Sequence, residues 1–110
     1  MTPAILIVNK PSKSVETYRN FLAGKGYRVF TSPTLVEADI LLNKTPCSLA
    51  FISSDLLDGM ESSILRTMKN RRMDCKFVLM ATNFDIDMYV EVLNGSIFHE
   101  YLVAPPTLAL

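Results

Sequence analysis

Leu49-Ala50-Phe51-Ile52-Ser53-Ser54-Asp55 decides how the rest of the chain is read. An unbroken apolar run passes without a break into hydroxyls and a carboxylate. A strand with one wet face alternates, whereas a continuous run marks a strand buried on both faces. The same pattern occurs upstream, where Ala4-Ile5-Leu6-Ile7-Val8 runs into Asn9-Lys10. It recurs downstream, where Phe77-Val78-Leu79-Met80-Ala81 runs into Thr82-Asn83. Polar residues thus gather at the C-terminal ends of three buried strands.

Between these strands the apolar spacing changes to that of helices. Pro11-Ser12 breaks the first run. Val15, Tyr18, Phe21 and Leu22 then recur at helical intervals up to Gly24 and Gly26. Residues 27–31 read as a second strand. Ser32-Pro33 reads as the next helix start, a capping hydroxyl followed by proline at the first helical position. Leu35, Ala38, Leu41 and Leu42 give that helix one apolar face. Met60, Ile64, Leu65 and Met68 line a third helix, which ends near Arg72. Residues 85–94 form a fourth, closed by Gly95, and residues 101–103 form a fifth strand stopped by Pro105-Pro106. Alternating strands and helices require a mostly parallel sheet with helices on both faces and right-handed crossovers. Working sites in such sheets lie beyond the C-terminal strand ends, here Asn9-Lys10, Ser53 to Asp58, Thr82-Asn83 and Ala104-Pro105.

Composition narrows the function. At 110 residues with 49% apolar and 20% charged side chains, the chain has the make-up of one globular domain. Eleven basic residues balance eleven acidic ones, so no general attraction for nucleic acid or anionic lipid is expected. The apolar runs are too short to span a bilayer. The N-terminus lacks the basic region and cleavage site of a signal peptide. Cys47 and Cys75 are too few for a disulfide framework or a structural zinc site, and their strand-leading positions could bring them close. Buried thiols in a reducing, cytoplasmic setting are expected. No glycine-rich phosphate loop is present, and a Ser-His-Asp set would have to use His99, the single histidine, so no enzyme is expected.

Five such units at this length resemble the receiver domain of two-component response regulators. The resemblance covers essentially the whole chain. It rests on Ile5-Leu6-Ile7-Val8 with two polar residues after it, on Leu49 to Ser53 with Gly59-Met60 and Ile64-Leu65-Arg66-Thr67-Met68-Lys69, on Val78-Leu79-Met80-Ala81-Thr82, and on Tyr101-Leu102-Val103-Ala104-Pro105. It implies an α/β, flavodoxin-like three-layer sandwich with a parallel five-stranded sheet of order 2-1-3-4-5. Receivers take a phosphoryl group onto an aspartate at the end of the third strand. An acidic pair after the first strand helps that aspartate hold magnesium, and a hydroxyl and a lysine bind the phosphoryl group. Here the acidic pair is replaced by Asn9 and Lys10, the acceptor position falls on Ser53 with Asp55 as the alternative, and the lysine position is Ala104, followed by Pro105. Thr82 and Tyr101 retain the hydroxyl and the aromatic. Magnesium favours anionic oxygens, and an ammonium beside them repels it. Serine is a poor nucleophile without a base. The expectation is a pseudo-receiver, with neither metal nor cofactor.

Each of these residues also has a structural role open to it. Ser53 and Ser54 can cap the turn, Lys10 can pair with Asp55 or Asp58, and Lys69-Asn70-Arg71-Arg72 reads as a solvated helix end. The fourth helix carries more apolar side chains than one stripe needs, Phe84, Ile86, Met88, Tyr89, Val90, Val92 and Leu93. A partner face of Phe84, Met88, Tyr89, Val92 and Tyr101 is expected, for another protein or a homodimer. In receivers this helix and the fifth strand form the usual dimerisation and output face. Thr107 is placed to cap a fifth helix just where the chain stops. That helix is therefore expected to be truncated or absent, and the domain to be part of a longer protein carrying a C-terminal output domain.

Overall fold

The computed structural model describes residues 4–57, 61–71, 74–95 and 97–103, with the backbone only at 61 and 62. Asp58, Met60, Arg72, Ala104, Pro105 and Thr107, all given roles above, lie outside the described residues.

The first strand, β1 (Ala4–Val8), is buried at every position, as its unbroken apolar run requires. The helix α1 (Lys13–Gly24) starts where Ser12 accepts a hydrogen bond from the Val15 N–H at 3.2 Å. Past its end, Gly26 holds φ at 97°, in the left-handed region that suits glycine. The second strand, β2 (Arg28–Ser32), reaches one residue further than its composition suggested. Ser32 therefore belongs to the sheet, and its carbonyl accepts from the Asn9 N–H at 2.9 Å. It is not the helix cap. Thr34 caps α2 (Leu35–Lys44) by accepting from the Glu37 N–H at 3.1 Å, and Pro33 precedes the helix.

β3 (Leu49–Ser53) leads into a single 3₁₀ turn over Ser54–Leu56. α3 (Glu61–Arg71), β4 (Lys76–Ala81), α4 (Ile86–Asn94) and β5 (Glu100–Val103) follow. Asp85 is the cap of α4, not its first residue: its carboxylate accepts from the Asp87 and Met88 N–H groups. All pairings are parallel, in the order β2-β1-β3-β4-β5, as expected.

Strand alternation divides the core between two faces. Leu6 and Val8 of β1, with Ala50, Ile52 and Phe77, pack against Leu35, Ala38 and Leu42 of α2 and Leu65 and Met68 of α3. Ile7, Phe51 and Met80 point the other way, toward Val15 and Tyr18 of α1. The C-terminal end of α3 is less solvated than its charges suggested. Lys69 Nζ donates to the Cys75 carbonyl at 2.8 Å and lies 5.4 Å from the Phe77 ring centre, while Arg71 pairs with Asp39 of α2 at 3.2 Å. Cys47 and Cys75 are buried in the same core cluster. They stand one step out of register, since Leu49 pairs with Lys76. Among the described residues no helix is long and apolar enough to cross a membrane.

Candidate functional site

Parallel pairing brings the polar strand ends together. Val8 is level with Ile52, and Ser53 with Met80, so Asn9, Ser53 and Thr82 emerge at one edge of the sheet. With Asp55 they line a cleft of about 70 Å³, walled on one side by Ser14 and Tyr18 of α1. Small-molecule sites occupy roughly 300 Å³ or more. This cleft has room for little more than ordered water. Ser14 and Tyr18 did not stand out in the sequence as part of the site. They sit one turn apart on α1 and line the cleft together with Ile7 of β1 and Phe51 of β3. Burial pushes the Tyr18 phenol above its ordinary pKa, so it stays protonated.

The polar groups of the cleft are largely engaged with the backbone. Ser53 is buried, and its Oγ accepts from the Asp55 N–H at 3.2 Å, capping the 3₁₀ turn. The Asn9 side-chain oxygen accepts from the Lys10 N–H at 2.8 Å. Asp55 and Thr82 are exposed. They also border a second concavity, open and about 480 Å³, with Asn83 and Asp85. Lys10 is exposed, and among the described residues no ion pair joins it to Asp55.

The magnesium implied by the resemblance can be tested against these donors. A divalent cation of this hardness takes carboxylate oxygens. Among the described residues Asp55 is the only carboxylate lining the cleft, the Asn9 oxygen carries no charge, and an ammonium follows it in sequence. Among the described residues no three His, Cys, Asp or Glu side chains form a metal-holding group. The described residues do not fit the ion.

Tyr101 lies away from the cleft, half-buried on β5 and turned toward the start of α4. Its hydroxyl accepts from the Asp85 N–H at 3.1 Å and donates to the Asn83 carbonyl at 3.5 Å. Its ring centre lies 6.1 Å from that of Phe84 and 5.7 Å from that of Tyr89. Three aromatics therefore pin α4 to the edge strand. Beyond them α4 is loosely seated, and none of its nine residues is fully buried. The expected partner face is divided by this arrangement. Met88 and Val92 turn inward, lining a groove of about 420 Å³ with Leu65 and Leu79. Phe84 and Tyr89 of that face stay exposed, and Ile86, Val90 and Leu93, one on each successive turn, are exposed beside them. His99 sits near the opposite end of the sheet, held below its ordinary pKa by burial and then by Lys69 and Lys76. It does not line the cleft with Ser53.

No protein-family model matches the chain. The alginate biosynthesis transcriptional regulatory protein AlgB of Pseudomonas syringae pv. tomato is 26% identical over 101 residues, which is 92% of this chain. The chain spans about 22% of the length of that curated relative. Among solved structures, a two-component response regulator from Clostridium difficile superposes with a TM-score of 0.83 at 23% identity, covering 97% of this chain and 87% of that one. A CheY-like response regulator receiver domain protein from Methanospirillum hungatei JF-1 gives 0.81 at 21% identity, over 96% and 83%. Together with the strand order, these matches establish that the chain has the fold of the CheY-like receiver domains of two-component response regulators.

Proposed function

We propose that this chain is a receiver-derived regulatory domain of two-component, phosphorelay-type signalling, that it is not an enzyme, and that it works by protein contact without accepting phosphate. The observation that carries this reading is the state of the strand-end cleft. The Ser53 hydroxyl caps a turn, and the Asn9 amide and the Lys10 ammonium follow β1 where an acidic pair would be needed to hold a cation. Phosphoryl transfer to an acceptor needs its charge neutralised as it arrives. With Asn9 and Lys10 after β1, the cleft lacks the acidic pair that would bring a divalent cation to supply that neutralisation. Signalling then falls to surfaces, and the apolar side chains of α4 and β5 supply one. The relative's printed name, a transcriptional regulatory protein, supports an output module joined to or contacted by this domain. The chain's zero net charge supports leaving nucleic-acid contact to that module.

The test is to add magnesium and beryllofluoride, which mimics a phosphorylated aspartate, and to follow the amide spectrum. No saturating shifts are expected at Asn9, Ser53, Asp55 or Thr82. Localised, saturating shifts there would overturn phosphate independence.

One observation favours a second reading, a working receiver that uses Asp55. Its carboxylate is exposed and borders both concavities beside Thr82. Saturating shifts that disappear in Asp55→Asn would establish that reading.

A further inference from the structure

The neutral total conceals a segregation of charge. Residues 83–103 contain Asp85, Asp87, Glu91 and Glu100, while all eleven lysines and arginines lie outside this stretch. Its single histidine, His99, is held below its ordinary pKa by burial and by Lys69 and Lys76. Among the described residues none of the four carboxylates is ion-paired. The outward face of α4 is apolar as well as acidic. Ile86, Val90 and Leu93 follow one another at i, i+4 and i+7 and remain 57%, 45% and 64% exposed. Asp87 and Glu91, four residues apart, form a row along one side of that stripe.

We propose that this face docks a cationic amphipathic helix rather than a second copy of the chain. The inference rests on the reading above that α4 and β5 are the interaction surface, and it names the partner's chemistry. Two copies meeting through α4 would present the same surface to each other, so each Asp87–Glu91 row would meet no lysine or arginine of the other copy's α4, Arg66 of α3 lining the groove beside its own Glu91. Like charges held within a Debye length of each other oppose that pairing. A helix with its own apolar residues at i, i+3 or i+4, and i+7 fits the stripe, and lysines or arginines on its flank meet the carboxylates.

The experiment uses two fluorescein-labelled synthetic helices with the same leucine face. One carries lysines along the flanks and the other glutamates. Fluorescence anisotropy reads their binding to the full chain at low and at high salt. The lysine peptide is expected to bind at least about tenfold more tightly than the glutamate peptide at low salt, with the gap closing as salt rises. Asp87→Lys with Glu91→Lys is expected to invert the order. Leu93→Asp is expected to weaken both peptides about tenfold. The proposal is overturned if neither peptide binds, if the double variant leaves the order unchanged, or if the protein sediments as a dimer that Leu93→Asp dissociates. Repeating the titration with magnesium and beryllofluoride separates the two readings. Lysine-peptide binding seen only with the mimic supports helix docking and defeats phosphate independence. Loss of the charge preference with no response to the mimic defeats docking alone.

Discussion

Replacing Tyr101 with phenylalanine and, separately, with leucine divides the α4 anchor into its parts. The phenylalanine variant removes only the hydroxyl, which accepts from the Asp85 N–H at 3.1 Å and donates to the Asn83 carbonyl at 3.5 Å. Both partners are exposed to solvent, so water replaces much of what is lost, and about 0.5–1 kcal/mol is expected. The leucine variant also removes two ring contacts, at 6.1 Å to Phe84 and 5.7 Å to Tyr89. Each such contact contributes roughly 0.5–1.5 kcal/mol, and two contacts near the middle of that range bring the total to about 2–3 kcal/mol. At this chain length one kcal/mol moves the melting midpoint by about 4 °C. Thermal melts followed by circular dichroism should therefore fall by about 2–4 °C for Tyr101→Phe and about 8–12 °C for Tyr101→Leu. Amide exchange should show the loss concentrated in residues 85–94. Equal losses for the two variants would refute the division. Unchanged exchange in α4 would refute the claim that Tyr101 anchors this helix at all.

Three further outcomes follow from the geometry. Thr34→Ala should cost about 1 kcal/mol in urea denaturation and loosen the first turn of α2; amide protection lost there in Ser32→Ala but kept in Thr34→Ala would return the cap to Ser32. Gly26→Ala should destabilise by about 1–2 kcal/mol because φ at 97° is hostile to a side chain, whereas Gly24→Ala, with open space around its Cβ, should be neutral or stabilise by up to about 1 kcal/mol. Paired denaturation curves that move together would contradict this contrast. The His99 ring should titrate by NMR below the ordinary 6.5, and Lys76→Gln should raise its midpoint. The unfolded chain then takes up this proton more readily than the folded one. The group's effect is absent above the ordinary range, and stability falls as pH drops through the window between 6.5 and the lowered value. A midpoint at or above 6.5 would contradict the crowding of Lys69 and Lys76 around it.

The fold was legible because its strands carry unmistakable runs. Ala4–Val8 and Lys76–Ala81 are nearly all buried in the sheet, and only two-sided burial explains such runs between amphipathic helices. The polar strand ends could be read for the same reason, since parallel strands bring equivalent ends to one edge. Misreadings arose where neighbouring residues competed for one role. In Ser32-Pro33-Thr34 either hydroxyl could cap, and the sheet decided: Ser32 was taken up by pairing with β1, and Thr34 was left to reach the Glu37 N–H. In α4, two apolar stripes had equal claims to the core. Met88 and Val92 face the groove beside Leu79, while Ile86, Val90 and Leu93 face outward, a choice made by the Tyr101 anchor and not by periodicity. The charge of Lys69 hid its tertiary role, a hydrogen bond to the Cys75 carbonyl six residues on.

Intact-mass spectrometry after incubation with a small phosphodonor and magnesium tests the central claim most directly. Asn9 and Lys10 stand after β1 in place of an acidic pair, so an unmodified mass is expected even at long exposure. A hydroxylamine-sensitive phosphate adduct that forms on the folded protein and maps to Asp55 would contradict it.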